Sequence, residues 1–271
     1  MKILKAILGI SAGIGSLAVM CSANAAQFTV SIDGGDAIFL AGRTDLVIPP
    51  AGAVWPGGLT RHPVTPELIK ETLPPIIPVA GGQTVRVLDP ADGAISFFNG
   101  FGGVSFGPQG NGVPGSSSLG SFGGISGYFG TQGALVGVFL TNAVPSAGPP
   151  ATLDFSAGGL GVDFTTLSPA LNQVFFIGDG KTNLNVFQEF VAPAGTTRLA
   201  LGVVDGFGFN GPPGAYDDND GGYRIRVGID EIPVPGNDVP IPGALPLFAS
   251  GLGMIGLLAW RRKRKRDAVA A

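Results

Sequence analysis

The chain has 271 residues, with 16 Lys and Arg, 19 Asp and Glu, one histidine and one cysteine. So few nitrogen and sulfur ligands exclude a multi-histidine zinc site. Two of the basic residues fall in the first 25 residues and six in a run near the end. Asp267 apart, the remainder sets eight basic side chains against 18 acidic ones, which argues against nucleic acid or anionic lipid as its partner.

Residues 1–25, "MKILKAILGISAGIGSLAVMCSANA", carry Lys2 and Lys5, an apolar run, and the small-residue pattern ending in Ala23 and Ala25. That order is a secretory signal, with cleavage expected after Ala25. Cys21 lies inside the signal, and Met20 before it is a poor residue for a lipoprotein site. The mature chain therefore has no cysteine, neither as a nucleophile nor for a disulfide, although its destination is oxidising.

From Ala26 to about residue 232 the chain is a series of short apolar or alternating runs punctuated by Gly, Pro, Asn and Asp. They are "QFTVSI", "AIFLAG", "TVRVLD", "AISFFN", "ALVGVFL", "VFFIG", "NVFQEFVA", "RLALGVV" and "YRIRVGI". Turn residues at that frequency, with β-branched and aromatic residues between them, predict an all-β domain, a sandwich or jelly roll. In "YRIRV", Tyr223, Ile225 and Val227 should face one side and Arg224 and Arg226 the other. The one segment with helical character, "TPELIKET" (Thr65 to Thr72), is long enough for one or two turns. Residues 48–80, rich in proline and holding Trp55 and His62, and residues 111–128, rich in Gly and Ser, are expected to be surface loops inserted into the frame.

Catalysis is hard to build from these residues. His62 sits in an expected loop, and no spacing singles out a pair of carboxylates for sugar hydrolysis. "GFGFNG" follows an expected strand but runs into "PPGAYDDND" where a phosphate-binding helix should start, so it is not a nucleotide loop. "GLGMIG" lies in an apolar segment near the end, where glycines serve helix contact. The expectation is a protein that is not an enzyme.

The acidic stretch "GVVDGFGFNGPPGAYDDNDGGYRIRV" is different in kind. Asp205 closes one expected strand, and Asp217, Asp218, Asn219 and Asp220 precede the next. Calcium takes six to eight oxygens from carboxylates, amides and carbonyls on a loop that curls around it. The glycines stand out of register for an EF-hand. The residues alone leave two readings open, a calcium loop of another kind and a solvated turn.

Beyond residue 232 the chain changes character. Residues 233–243 are Pro-rich and read as a linker. Ala244 to Trp260 is uncharged and apolar over 17 residues, the short limit for a bilayer helix, and Arg261, Arg262, Lys263, Arg264, Lys265 and Arg266 follow it. The basic run, within the tail 261–271, would hold that end in the cytoplasm, leaving the domain outside. A buried core helix would carry interleaved polar residues, which this segment lacks.

Two resemblances attach to these segments. "VAGGQTVRVLD", "SFGPQG", "GALVGVF", "QVFFIGDG", "FVAPAGTTRLALGVVD" and "DNDGGYRIRV" resemble, in sequence and order, the calcium-dependent galactose-binding bacterial lectins and their exported family, over residues 27–229. The resemblance implies a jelly-roll sandwich with calcium at one end. Asp205 then matches the family's strand-end aspartate, which binds calcium and touches the sugar. Asp218 and Asn219 match its paired ligands, Asp218 also lying at the sugar, and backbone carbonyls around Tyr216 and around Asn99 or Gly100 complete the set. The loop from Asp205 to Asp218 is longer than the lectin's, and "GPQG" is followed by Gly and Ser without the family's galactose-contacting His and Gln.

The end of the chain, "VPIPGALPLFASGLGMIGLLAWRRKRK", is similar to the PEP-CTERM sorting signal, with Val239, Pro240, Ile241 and Pro242 standing where Pro-Glu-Pro is usual. That resemblance implies transient anchoring in the inner membrane, processing by an exosortase, and transfer to the cell surface or matrix. The partners it implies are the exosortase and exopolysaccharide or another glycan, while the acidic balance already argues against nucleic acid. The expected protein is a calcium-stabilised carbohydrate binder of the envelope, and the rival expectation is a purely structural matrix protein.

Overall fold

The computed structural model describes residues 25–47, 71–98, 103–146 and 148–233. Residues 1–24 with Ala23, the segment 48–70 with Trp55 and His62, Asn99 and Gly100, and everything from 234 onward lie outside the described residues. The sorting motif, the apolar span and the basic run are therefore not placed. Among the described residues no helix is long and apolar enough to cross a membrane.

The described chain is all-β and builds sheets with no barrel. Its strands are β1 (Ala26–Asp33), β2 (Ile76–Pro78), β3 (Thr84–Ser96), β4 (Ser117–Leu119), β5 (Tyr128–Gly130) and β6 (Leu135–Leu140). They are followed by β7 (Thr166–Leu167), β8 (Val174–Phe176), β9 (Glu189–Val191), β10 (Arg198–Val203), β11 (Asn210–Gly211) and β12 (Asp220–Ile229). A five-stranded sheet runs β1-β12-β3-β9-β7, a four-stranded sheet β2-β10-β6-β8, and a small sheet β11-β4-β5.

The two larger sheets share one buried core. Phe175 of β8 stacks on Phe139 of β6 at 5.1 Å and meets Phe190 of β9, in the other sheet, at 5.2 Å. β10 and β6 are buried along nearly their whole length, which is why both read as unbroken apolar runs in the sequence. β12 alternates as expected. Tyr223, Ile225 and Val227 are buried, Arg224 is exposed, and Arg226 reaches out to donate to the Asp89 carbonyl at 2.7 Å.

Several local expectations give way. "AIFLAG" is not a strand: Ile38–Leu40 form a 3-10 turn. Its approach is held between two other segments, with the Ala37 N–H donating to the Thr72 carbonyl and the Val203 N–H to the Asp36 carbonyl. A chain that must bond to both sides over two residues and then turn into the core cannot stay extended. "TVRVLD" and "AISFFN" are one strand, because β12 pairs with β3 on both sides of Pro90.

The expected surface loop 48–80 ends early. Thr72 bridges Asp36, and β2 pairs with β10. Residues 111–128 are a surface loop only in part, since β4 lies inside them, pairs with β5 from Tyr128 onward, and Ser117, Leu119, Ile125 and Tyr128 are buried. Small residues make that possible: a Cβ on Gly127 would come within 2.4 Å of the Leu119 carbonyl oxygen. Composition rich in Gly and Ser marked close backbone approach here, not exposure.

Candidate functional site

Asp205 and Asn219 lie at the ends of strands in different sheets. β10 delivers Asp205 from the four-stranded sheet, and the chain re-enters the five-stranded sheet at Asp220. Between them it makes a 3-10 turn at Phe207–Phe209, pairs β11 in parallel with β4, and makes a second 3-10 turn at Tyr216–Asp218. Ala215, just before that turn, takes a left-handed conformation at φ 64°, which costs a residue with a Cβ free energy that the surrounding packing must offset. The loop is tied back by the Gly214 N–H, which donates to the Asp205 carbonyl at 3.1 Å.

Tyr216 is the post on which the site stands. It is fully buried, its hydroxyl donates to the Val203 carbonyl at 3.0 Å, and it accepts the Asp205 N–H at 3.2 Å. Burial pushes its phenol well above the usual range, and the charges of Asp205 and Glu71 push in the same direction. The expected role of Tyr216 was its carbonyl alone. That carbonyl accepts the Asn219 N–H at 3.3 Å, and the side chain fixes the end of β10.

The carboxylate of Asp205 is 2% exposed. Its Oδ1 accepts the Gly206 N–H at 2.7 Å, whereas its buried Oδ2 has no hydrogen-bond partner. Burial raises its pKa well above the ordinary 3.8 and repulsion from Asp218 and Asp217 adds to the rise, while the Gly206 N–H and the neighbouring Asn219 side chain offset it only in part. Asn219, 3% exposed, donates from Nδ2 to the Gly34 carbonyl at 2.8 Å. That acceptor fixes which way the amide lies, and its Oδ1 is buried with no hydrogen-bond partner. Asp217 is 1% exposed and Asp218 is half-buried.

The structure thus brings together Asp205, Tyr216, Asp218 and Asn219. It adds three residues that the sequence did not single out as site residues. Asp217 is buried rather than solvated. Gly34, at the end of β1, supplies the carbonyl that orients Asn219, and a Cβ on it would sit 3.1 Å from the Asn219 Cβ. Glu71, 1% exposed, comes from a segment that read as surface loop, and no local pattern marks it.

Burying acceptor oxygens of like charge is costly unless a cation or donors meet them. Among the described residues no group of three or more His, Cys, Asp or Glu is arranged to hold a metal ion. The buried oxygens left without a hydrogen bond on these two residues, Asp205 and Asn219, differ in kind, a carboxylate oxygen of Asp205 and the amide oxygen of Asn219. Scans against family models and searches of curated proteins and of solved structures found no match to this chain.

Proposed function

We propose that this is an exported protein of the cell envelope or extracellular matrix, without catalytic activity, whose β-sandwich is of the jelly-roll kind and is closed at one end by calcium. Its leader and its PEP-CTERM-like end would carry it through an exosortase to the surface, where a glycan is the partner. The observation that carries the calcium reading is the pair of buried, unpartnered oxygens, Asp205 Oδ2 and Asn219 Oδ1, in a cluster where Asp205 is also repelled by its acidic neighbours. Bound there, calcium would supply positive charge and join the end of β10 to the start of β12.

Asp205 and Asn219 are nearly closed to solvent. This favours an ion that ties loops together over one that presents two open positions to a sugar, and Asp218 is the more open of the two residues expected at a sugar.

The test is a thermal melt of the full chain in detergent, with calcium and with chelator. Calcium at a hundredfold over its Kd would add about 2.7 kcal/mol, or about 5–10 °C for a domain of this size. Asp205→Asn should abolish that shift. A wild-type chain that melts identically with and without millimolar calcium sinks the reading.

A further inference from the structure

The outer face of the five-stranded sheet carries an open groove of about 560 Å³, within the size of small-ligand sites. Strand register builds it. Ser31, Arg224 and Asp92 form one cross-strand row, and Asp33, Gly222 and Ala94 form the next on the same face. Ser31, Asp33, Asp92 and Arg224 are exposed, while Gly222 puts no side chain on the floor between them. Behind the groove, Ile32 and Tyr223 face the core.

Two features separate this face from an ordinary solvated sheet. Opposite charges directly across strands can pair for a modest gain, yet no ion pair links Arg224 to Asp92 among the described residues. The remaining wall is preset. Asp36 is 7% exposed, with Oδ1 taking the Thr72 hydroxyl at 2.6 Å and Oδ2 the Asp33 N–H at 2.7 Å, and Asp33 Oδ1 takes the Gly35 N–H at 3.0 Å. Asp92, the second oxygen of Asp33, the Ser31 hydroxyl and the Arg224 guanidinium are left facing an open floor.

We propose that this groove binds a neutral polysaccharide, a deepening that rests on the carbohydrate part of the reading above and moves the sugar site away from Asp205 and Asp218. The chemistry is that of a polyol. Each sugar hydroxyl both donates and accepts, a carboxylate accepts two neighbouring hydroxyl protons, and a guanidinium donates to ring or hydroxyl oxygens. A floor without side chains at Gly222 lets a ring lie close to the backbone. Three carboxylates against one guanidinium make the groove negative and repel uronate, sulfate or phosphate polymers. Asp33 directly precedes Gly34, whose carbonyl holds Asn219, so the groove wall is tied to the buried cluster without sharing its oxygens.

The experiment is affinity electrophoresis of the full chain in detergent and millimolar calcium, in gels containing dextran, galactomannan, a neutral β-glucan or alginate. At least one neutral polymer should retard the wild type, and the double variant Asp92→Asn, Arg224→Gln should weaken that apparent affinity at least tenfold with an unchanged melting temperature. Ser31→Tyr, which fills the groove from an exposed position, should do the same if the double variant folds poorly. Alginate should not retard the chain. The proposal is overturned by no retardation in any neutral gel, by retardation that survives both sets of changes, by retardation in alginate that Arg224→Gln removes, or by loss with Asp205→Asn alone. Retardation that persists while the calcium-dependent melting shift is absent would sink the ion and leave the groove standing.

Discussion

Around Ser126 and Tyr128 the buried hydroxyls are matched. Ser126 Oγ donates to the Gly127 carbonyl at 2.9 Å and accepts the Val174 N–H at 2.8 Å, and the Tyr128 hydroxyl donates to the Thr131 carbonyl at 3.1 Å. Around Asp205 and Asn219, at comparable depth, an acceptor oxygen on each residue has no donor. The first region has the pattern of polar groups that hold a fold, because each removes an unsatisfied group from the core. The second costs the fold free energy unless something meets those oxygens. Substitutions in the two regions should therefore answer calcium differently.

The largest effect belongs to neither region and calibrates both. Phe175→Ala, in the core shared by the two larger sheets, should lose about 3–5 kcal/mol, equally in calcium and in chelator. A chemical denaturation series in both buffers would show it. Next comes Ser126→Ala, which leaves the buried Val174 N–H without its acceptor and should cost about 1–3 kcal/mol, again the same in both buffers. If calcium rescued Ser126→Ala selectively, the separation of the two regions would fail.

Asp205→Asn should break the symmetry. In chelator it removes a buried charge repelled by Asp217 and Asp218, and the variant should be as stable as the wild type or more stable by about 1–2 kcal/mol. In calcium it should be the less stable of the two. A variant destabilised equally in both buffers would make Asp205 an ordinary structural residue.

The smallest effect is a pH slope. Burial raises the Asp36 pKa despite its hydrogen bonds to Thr72 and Asp33. A carboxyl whose folded pKa lies above its unfolded one contributes stability that is present below the unfolded value and lost as pH rises through the folded value. Measured in an Asp205→Asn background, so that the other raised carboxyl does not contribute, stability should carry a falling component from pH 3.8 upward that Asp36→Asn removes. Parallel pH profiles for the two chains would contradict it.

How much of this was legible beforehand divides by the range of the forces involved. The alternation in "YRIRV" and the apolar runs of β6, β8 and β10 followed from local periodicity, and the structure places them where that periodicity said. The loop assignments at 48–80 and 111–128 hold only in part where the structure describes them, because proline, glycine and serine mark both exposed turns and close backbone packing, and only neighbours distinguish the two. At the site, Asp205, Asp218 and Asn219 were visible as a cluster in the chain. Glu71, Asp36 and Gly34 were not, since their places depend on contacts with residues far away in sequence.

The sequence by itself determined that this chain builds strands, that its charge gathers at a few turns and that its ends differ in kind from its middle. These follow from side-chain chemistry read over a few neighbouring residues. Tertiary structure alone decided that Asp217 is buried, that Asn219 turns its amide to Gly34, and that Asp92 and Arg224 stand opposite each other across an open floor. Burial and register are set by which strands pair, and pairing belongs to the whole chain.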